Sequence, residues 1–254
     1  MSKTIEKIAS SIEVELENLF SKAQISSKNC DETKYIYLLF GCILSKGICS
    51  PNAYSHNETF ALYEKMLDLS LGQQYLDMKL RIALLLYCHI YESNFIPKML
   101  YNLLTLIENG TYSEWPFPYN AKKHYDASAD TKLKMIKEKA LCLNLNSFVD
   151  LIDFIYDKTV RNSFFHSDYT FHPQNGIYFS VERNATTVIK TYDEMDLLLN
   201  SMFIFYETFI ETWLKYKKSY SDGYKIKVPN APLVNILMVD KDTNEVIGIS
   251  QELG

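Results

Sequence analysis

The chain has 254 residues with 26 basic and 31 acidic side chains, a formal net charge of −5 that excludes a protein coating nucleic acid through overall positive charge. Apolar residues make up 47% and charged residues 22%, with only 8 Gly and 7 Pro, so the composition is that of a folded chain and neither fibrous nor disordered. Aromatics reach 14%, mostly 19 Tyr and 14 Phe, which makes rings the main material of the core and of any partner surface.

At the N-terminus, Lys3, Glu6 and Lys7 interrupt the apolar stretch that a signal peptide needs, and no window approaches the roughly 18 apolar residues of a membrane span. The expectation is a cytoplasmic protein with no membrane contact, for which the Asn57, Asn109 and Asn184 sequons carry no meaning. From residue 3 to about 22, Ile5, Ile8, Ile12, Leu16, Leu19 and Phe20 recur at steps that line one face of a helix. A second apolar run, Tyr35 to Leu44, is closed by Gly47 and Pro51. A third helix is predicted over 57–70. The fourth, over 73–91, carries Ile82, Leu84, Leu85, Leu86, Tyr87 and Ile90 almost all round, which predicts a central, buried position. Pro97 opens a fifth. The segment 109–130, with Gly110, Pro116 and Pro118, has no sustained period and reads as the longest loop. The five cysteines (30, 42, 49, 88 and 142) contain no C-x-x-C pair and read as reduced core thiols.

Between Ala121 and Leu143 six lysines face three acids, a local +3 that is either a solvated helix face or a track for an RNA backbone, with Lys122 and Lys123 as contact candidates. Ser147 followed by Asp150 predicts the N-cap of a long helix running to His166. Three short strands follow, at 168–172, 176–181 and 186–189, turned by Pro173 to Gly176. A helix over 192–217 keeps its apolar period for more than six turns, and Val234–Val239 with Val246–Ile249 predict a hairpin in the tail.

In the helix after Ser147, the positions Phe148, Ile152, Ile155, Thr159, Asn162 and His166 form one seam that starts apolar and ends polar. Buried polar groups must find partners or open onto a cleft. Arg161 lies about 140° from His166 on an ideal helix, within reach of a shared ligand. A guanidinium grips phosphoryl oxygens in a fork, and an imidazole exchanges protons near neutral pH, so the pair suits metal-free phosphate chemistry. The same spacing equally suits a core histidine with a surface ion-pair arginine. Glu92, one turn after His89, is either a helix-end acid or a carboxylate orienting the site; Tyr169 and Tyr178 are candidates to stack on an unpaired base. His166, Asp168 and His172 match no recognised ligand spacing, so no metal and no cofactor are expected.

The run Val160-Arg161-Asn162-Ser163-Phe164-Phe165-His166 resembles the signature of the HEPN superfamily (higher eukaryotes and prokaryotes nucleotide-binding): Arg, then a polar residue that is often Asn, then His four to six residues beyond the Arg. The resemblance covers the chain from about 145 onward. It implies a mainly α HEPN-like helical bundle with a short β excursion between the last two long helices, and a homodimer with the site in the cleft between copies. On that reading the chain divides into an N-terminal helical extension (1–50), the HEPN-like domain (51–218) and a C-terminal β appendage (219–254). The implied activity is that of a metal-independent endoribonuclease of the toxin–antitoxin or antiviral defence type. Arg161 would contact the scissile phosphate, His166 would act as acid and base, Asn162 would orient them, and RNA would be left with a 2′,3′-cyclic phosphate. An antitoxin or defence-system protein is the implied partner. The superfamily also holds members without nuclease activity, so a non-catalytic module binding nucleotide, RNA or a protein is the alternative. A purely structural polar cluster is a third.

Overall fold

In the computed structural model, which describes residues 3–44, 55–113, 116–120, 125–181, 186–220, 224–227, 234–239 and 246–252, the chain is mainly α-helical. The period that begins at Ile5 forms α1 (Lys3–Cys30), about two turns longer than predicted, and buries Ile12, Leu16, Leu19, Phe20, Ala23 and Ser27 along one stripe. Then come α2 (Glu32–Leu44), α3 (Ser55–Leu71), α4 (Leu76–Glu92) and α5 (Phe95–Asn109). The stop predicted at Gly47 and Pro51 lies outside the described residues. Pro97 sits in the first turn of α5, where its missing N–H has no helical acceptor to lose. Gly110 closes that helix at φ 66°, a left-handed C-cap. In the long loop, β1 (Tyr119–Asn120) pairs with β2 (Tyr125–Asp126).

Next are α6 (Ala129–Cys142), capped by the Ser128 hydroxyl, and α7 (Asn146–Ile155) and α8 (Lys158–Phe165). The predicted strands appear as β3 (Tyr169–His172), β4 (Gly176–Val181) and β5 (Thr186–Lys190), an antiparallel meander in the order β3-β4-β5. Gly176, at φ 116°, makes its turn possible, because a Cβ there would run into the Lys190 carbonyl. The last helix, α9 (Tyr192–Lys218), opens with a capping box in which Thr191 and Glu194 exchange hydrogen bonds. The C-terminal hairpin is in fact three-stranded: β6 (Tyr224–Lys227) joins β7 (Val234–Val239) and β8 (Val246–Glu252), and the sheet approaches α2.

One core holds the helices together. α1 packs on α9 and α5, and α4 packs on α3, α8 and α9. Aromatic rings make the junctions: Phe209 of α9 meets Phe20 of α1 edge-on at 5.8 Å and Phe95 of α5 at 6.1 Å. Trp213 donates its indole N–H to the Leu39 carbonyl at 3.0 Å, which ties α2 to the same helix. Helix α1 and α2 as far as Leu39 therefore pack into the core shared by the later helices.

Three sequence expectations change. The helix expected to run unbroken from Ser147 to His166 is two helices, and Ser147 lies inside the first turn of α7. The chain turns through left-handed Asn144, Leu145 closes α6 on the Ala140 carbonyl, and α7 starts at once. The break at Tyr156–Asp157 has a distant cause. The buried Tyr87 hydroxyl of α4 accepts the Asp157 N–H at 2.7 Å and donates to the Ile155 carbonyl at 3.2 Å, while the Asp157 carboxylate caps Thr159 and Val160 N–H at 2.9 and 3.1 Å. Burial holds the Tyr87 phenol well above its ordinary pKa, so it stays protonated and able to donate. Tyr87→Phe is expected to lower stability by about 1–3 kcal/mol, because it leaves buried backbone groups of the break unpaired; urea unfolding would measure it, and an unchanged midpoint would show that the break mends itself.

Secondly, α4 is not buried all round: Leu84, Leu86, Tyr87 and Ile90 are sealed, but Met78 and Leu85 are 45% and 46% exposed. Thirdly, Cys30 and Cys142 are exposed and Cys88 is buried, so core placement does not hold for the described thiols as a set; the side chains of Cys42 and Cys49 lie outside what is described. No helix among the described residues is long and apolar enough to cross a membrane.

Candidate functional site

Because Asp157 restarts the helix, α8 presents Val160 and Ser163 to the core and carries Arg161, Asn162, Phe165 and His166 on its outer side. The Ser163 hydroxyl donates to the Ser180 carbonyl at 3.0 Å, which seats α8 on β4. The end of α8 is sharp. His166 is its C-cap, Ser167 takes the left-handed conformation at φ 60°, and the Asp168 N–H returns to the Ser163 carbonyl at 2.8 Å.

Arg161, Asn162 and Glu92 come together. One guanidinium nitrogen, Nη2, pairs with Glu92 Oε1 from the last turn of α4, and the other, Nη1, donates to Asn162 Oδ1. The guanidinium carbon lies 5.7 Å from the centre of the Tyr91 ring and 5.4 Å from that of Phe165, within cation–π range of both. Arg161 is 23% exposed and Glu92 36%. Arg161 Nε is buried and has no hydrogen-bond partner. A buried N–H without a partner carries a desolvation cost that the pairs at the two terminal nitrogens offset. Around it, burial pushes the Cys88 thiol up to about 12, with the Arg161 charge pulling slightly the other way, so Cys88 is no nucleophile. Tyr91 donates to Asp130 at 2.9 Å, and burial with that acid keeps its phenol well above the ordinary value.

His166 is exposed and its ring makes no hydrogen bond among the described residues. It is not a satisfied core histidine. Nor is it bonded to Arg161: the two project from the same helix end, the arginine restrained and the imidazole free. Tyr169 is half-buried and engaged, its hydroxyl accepting from Arg81 Nη1 at 2.8 Å and its ring stacked on Phe164 at 5.2 Å. The basic stretch is also engaged. Lys132 is buried and donates to Asn94, Lys137 pairs with Asp153 at 2.5 Å, Lys139 pairs with Glu108 at 2.5 Å and Lys134 pairs with Glu138 at 3.8 Å. Lys122 and Lys123 lie outside the described residues. No cluster of three or more His, Cys, Asp or Glu suited to a metal ion stands among the described residues.

Glu92, which the sequence favours as a plain helix-end acid over a carboxylate orienting the site, contacts Arg161 across 69 positions, a pairing with no local signal. Arg81 and Tyr87 were not singled out as site residues. A polar or hydroxylated residue inside an otherwise apolar helix was the available clue for both. A scan against protein-family models, and searches of curated proteins and of solved structures, return no match to this chain.

Proposed function

We propose that this chain is a metal-independent endoribonuclease of the HEPN type, acting as a homodimer in a toxin or antiphage-defence setting. The observation that carries this reading is the division of labour at the end of α8: a guanidinium restrained by Glu92 and Asn162, beside an exposed and unengaged imidazole. Arg161 with Asn162 holds the scissile phosphate and offsets the charge that grows on phosphorus. His166 takes the proton of the ribose 2′-hydroxyl as its oxygen bonds to phosphorus. The P–O5′ bond breaks, the 5′-oxygen receives a proton from the imidazole of the second copy, and a 2′,3′-cyclic phosphate remains. The exposed apolar side chains Met78 and Leu85 on α4 and Phe165, 49% exposed at the end of α8, support a second copy docking on this side of the bundle.

The test is cleavage of labelled single-stranded RNA in excess EDTA at protein concentrations from nanomolar to micromolar, with analysis of product ends. Cyclic-phosphate products, and DNA of the same sequence left intact, are expected. RNA uncut across that range defeats the reading.

One observation favours the alternative of a non-catalytic module binding nucleotide, RNA or a protein. Both terminal nitrogens of Arg161 already have internal partners, so its charge is partly spent before any phosphate arrives. That reading expects binding that persists in His166→Ala with no turnover in either protein.

A further inference from the structure

The meander between α8 and α9 has two unlike faces. Strand alternation turns Ile177 and Phe179 fully into the core, while Thr170, His172, Tyr178, Ser180 and Thr187 point the other way. Register sets them side by side: Thr170 opposite Tyr178, and Ser180 opposite Thr187. Together with Asp168 they line an open cavity of about 500 Å³, within the range of small-ligand sites. The His172 and Tyr178 rings stand 5.5 Å apart, and Asn175 steadies the Tyr178 hydroxyl with a 3.2 Å hydrogen bond. The rim of the cavity starts at Ser167 and Asp168, the two residues directly after His166.

This lining has no lysine or arginine, and its only acid is Asp168, whose carboxylate has no hydrogen-bond partner among the described residues. A phosphate is unwelcome there. A flat ring with polar edges is suited: Tyr178 offers a face, the Thr and Ser hydroxyls donate and accept, and the Asp168 carboxylate offers acceptors. We propose that this face is the base-binding subsite of the enzyme, taking one unpaired nucleobase of the RNA on Tyr178 next to the scissile position. Asp168 then prefers a base edge carrying an exocyclic amino group to uracil. The proposal rests on the ribonuclease reading for its RNA, but not for its test.

The probes are fluorescein-labelled 2′-O-methyl decamers of A, C and U, which lack the attacking hydroxyl and report binding without cleavage. Wild type is expected to bind the A and C decamers more tightly than U. Tyr178→Ala is expected to weaken binding roughly 10-fold or more, Tyr178→Phe to bind as wild type, and Asp168→Asn to flatten the preference. Thr187→Glu, at an exposed position, crowds and charges the cavity without touching the core and is expected to weaken binding likewise. If wild type binds no decamer, or if Tyr178→Ala and Thr187→Glu bind and cleave as wild type does, this subsite is wrong. Decamer binding that is lost in those variants, from a protein that cuts no RNA, sinks the nuclease reading and leaves the subsite standing.

Discussion

His166→Ala is expected to reduce RNA cleavage by about 10²–10⁴-fold, the usual worth of a positioned proton-transfer group, while leaving thermal stability within about 0.5 kcal/mol of wild type. The second half of that statement follows from geometry: the imidazole is exposed and makes no hydrogen bond among the described residues, so its removal costs no packing. Arg161→Ala should behave differently. It removes the partner of both Glu92 and Asn162, in a half-buried setting close to Tyr91 and Phe165, and is expected to cost stability as well as activity, about 1–2 kcal/mol after allowing for solvent at the pair. Arg161→Lys retains a charge but not the fork, and should recover stability better than cleavage. Cleavage assays beside denaturant unfolding on the three variants separate the readings. A His166→Ala protein that cuts as wild type does removes the imidazole from the chemistry; wild type and His166→Ala that bind RNA alike without turnover identify a binding module.

The second large effect is structural. Phe209→Ala is expected to lower stability by about 3–5 kcal/mol, since the ring is fully buried where α1, α5 and α9 meet. The loss should appear as one cooperative transition by far-UV circular dichroism. α1 contributes Phe20, Leu16 and Ile12 to the same core, so it has no independent hydrophobic face to keep it folded once the junction loosens. A biphasic transition, with the first helix melting apart from the rest, would count against that shared core.

Which features were legible follows from the range of the interactions behind them. Helix α9 was readable because its period runs unbroken and its start is local chemistry, Thr191 and Glu194 three residues apart. The β3–β5 meander was readable from alternation and from Gly176, where only a residue without Cβ avoids the Lys190 carbonyl. Strand β6 was passed over although Tyr224, Lys225, Ile226 and Lys227 alternate, because four residues next to prolines carry little weight alone. The division of α7 from α8 was half visible: Asp157 is a good N-cap, but the apolar seam continues across it and argued for one helix.

The amino-acid order alone settled the helical character, the β excursion, the apolar stripes and the adjacency of Arg161, Asn162 and His166, since each depends on residues a few positions apart. Folding in three dimensions decided what those side chains do. Glu92 reaches Arg161 from another helix, the Tyr87 hydroxyl bonds the backbone at a break about seventy residues away, and Arg81 holds the Tyr169 hydroxyl from a helix 88 positions earlier. No local pattern encodes such pairings, because a side chain's partner is set by which helices pack together, and packing answers to the whole core at once.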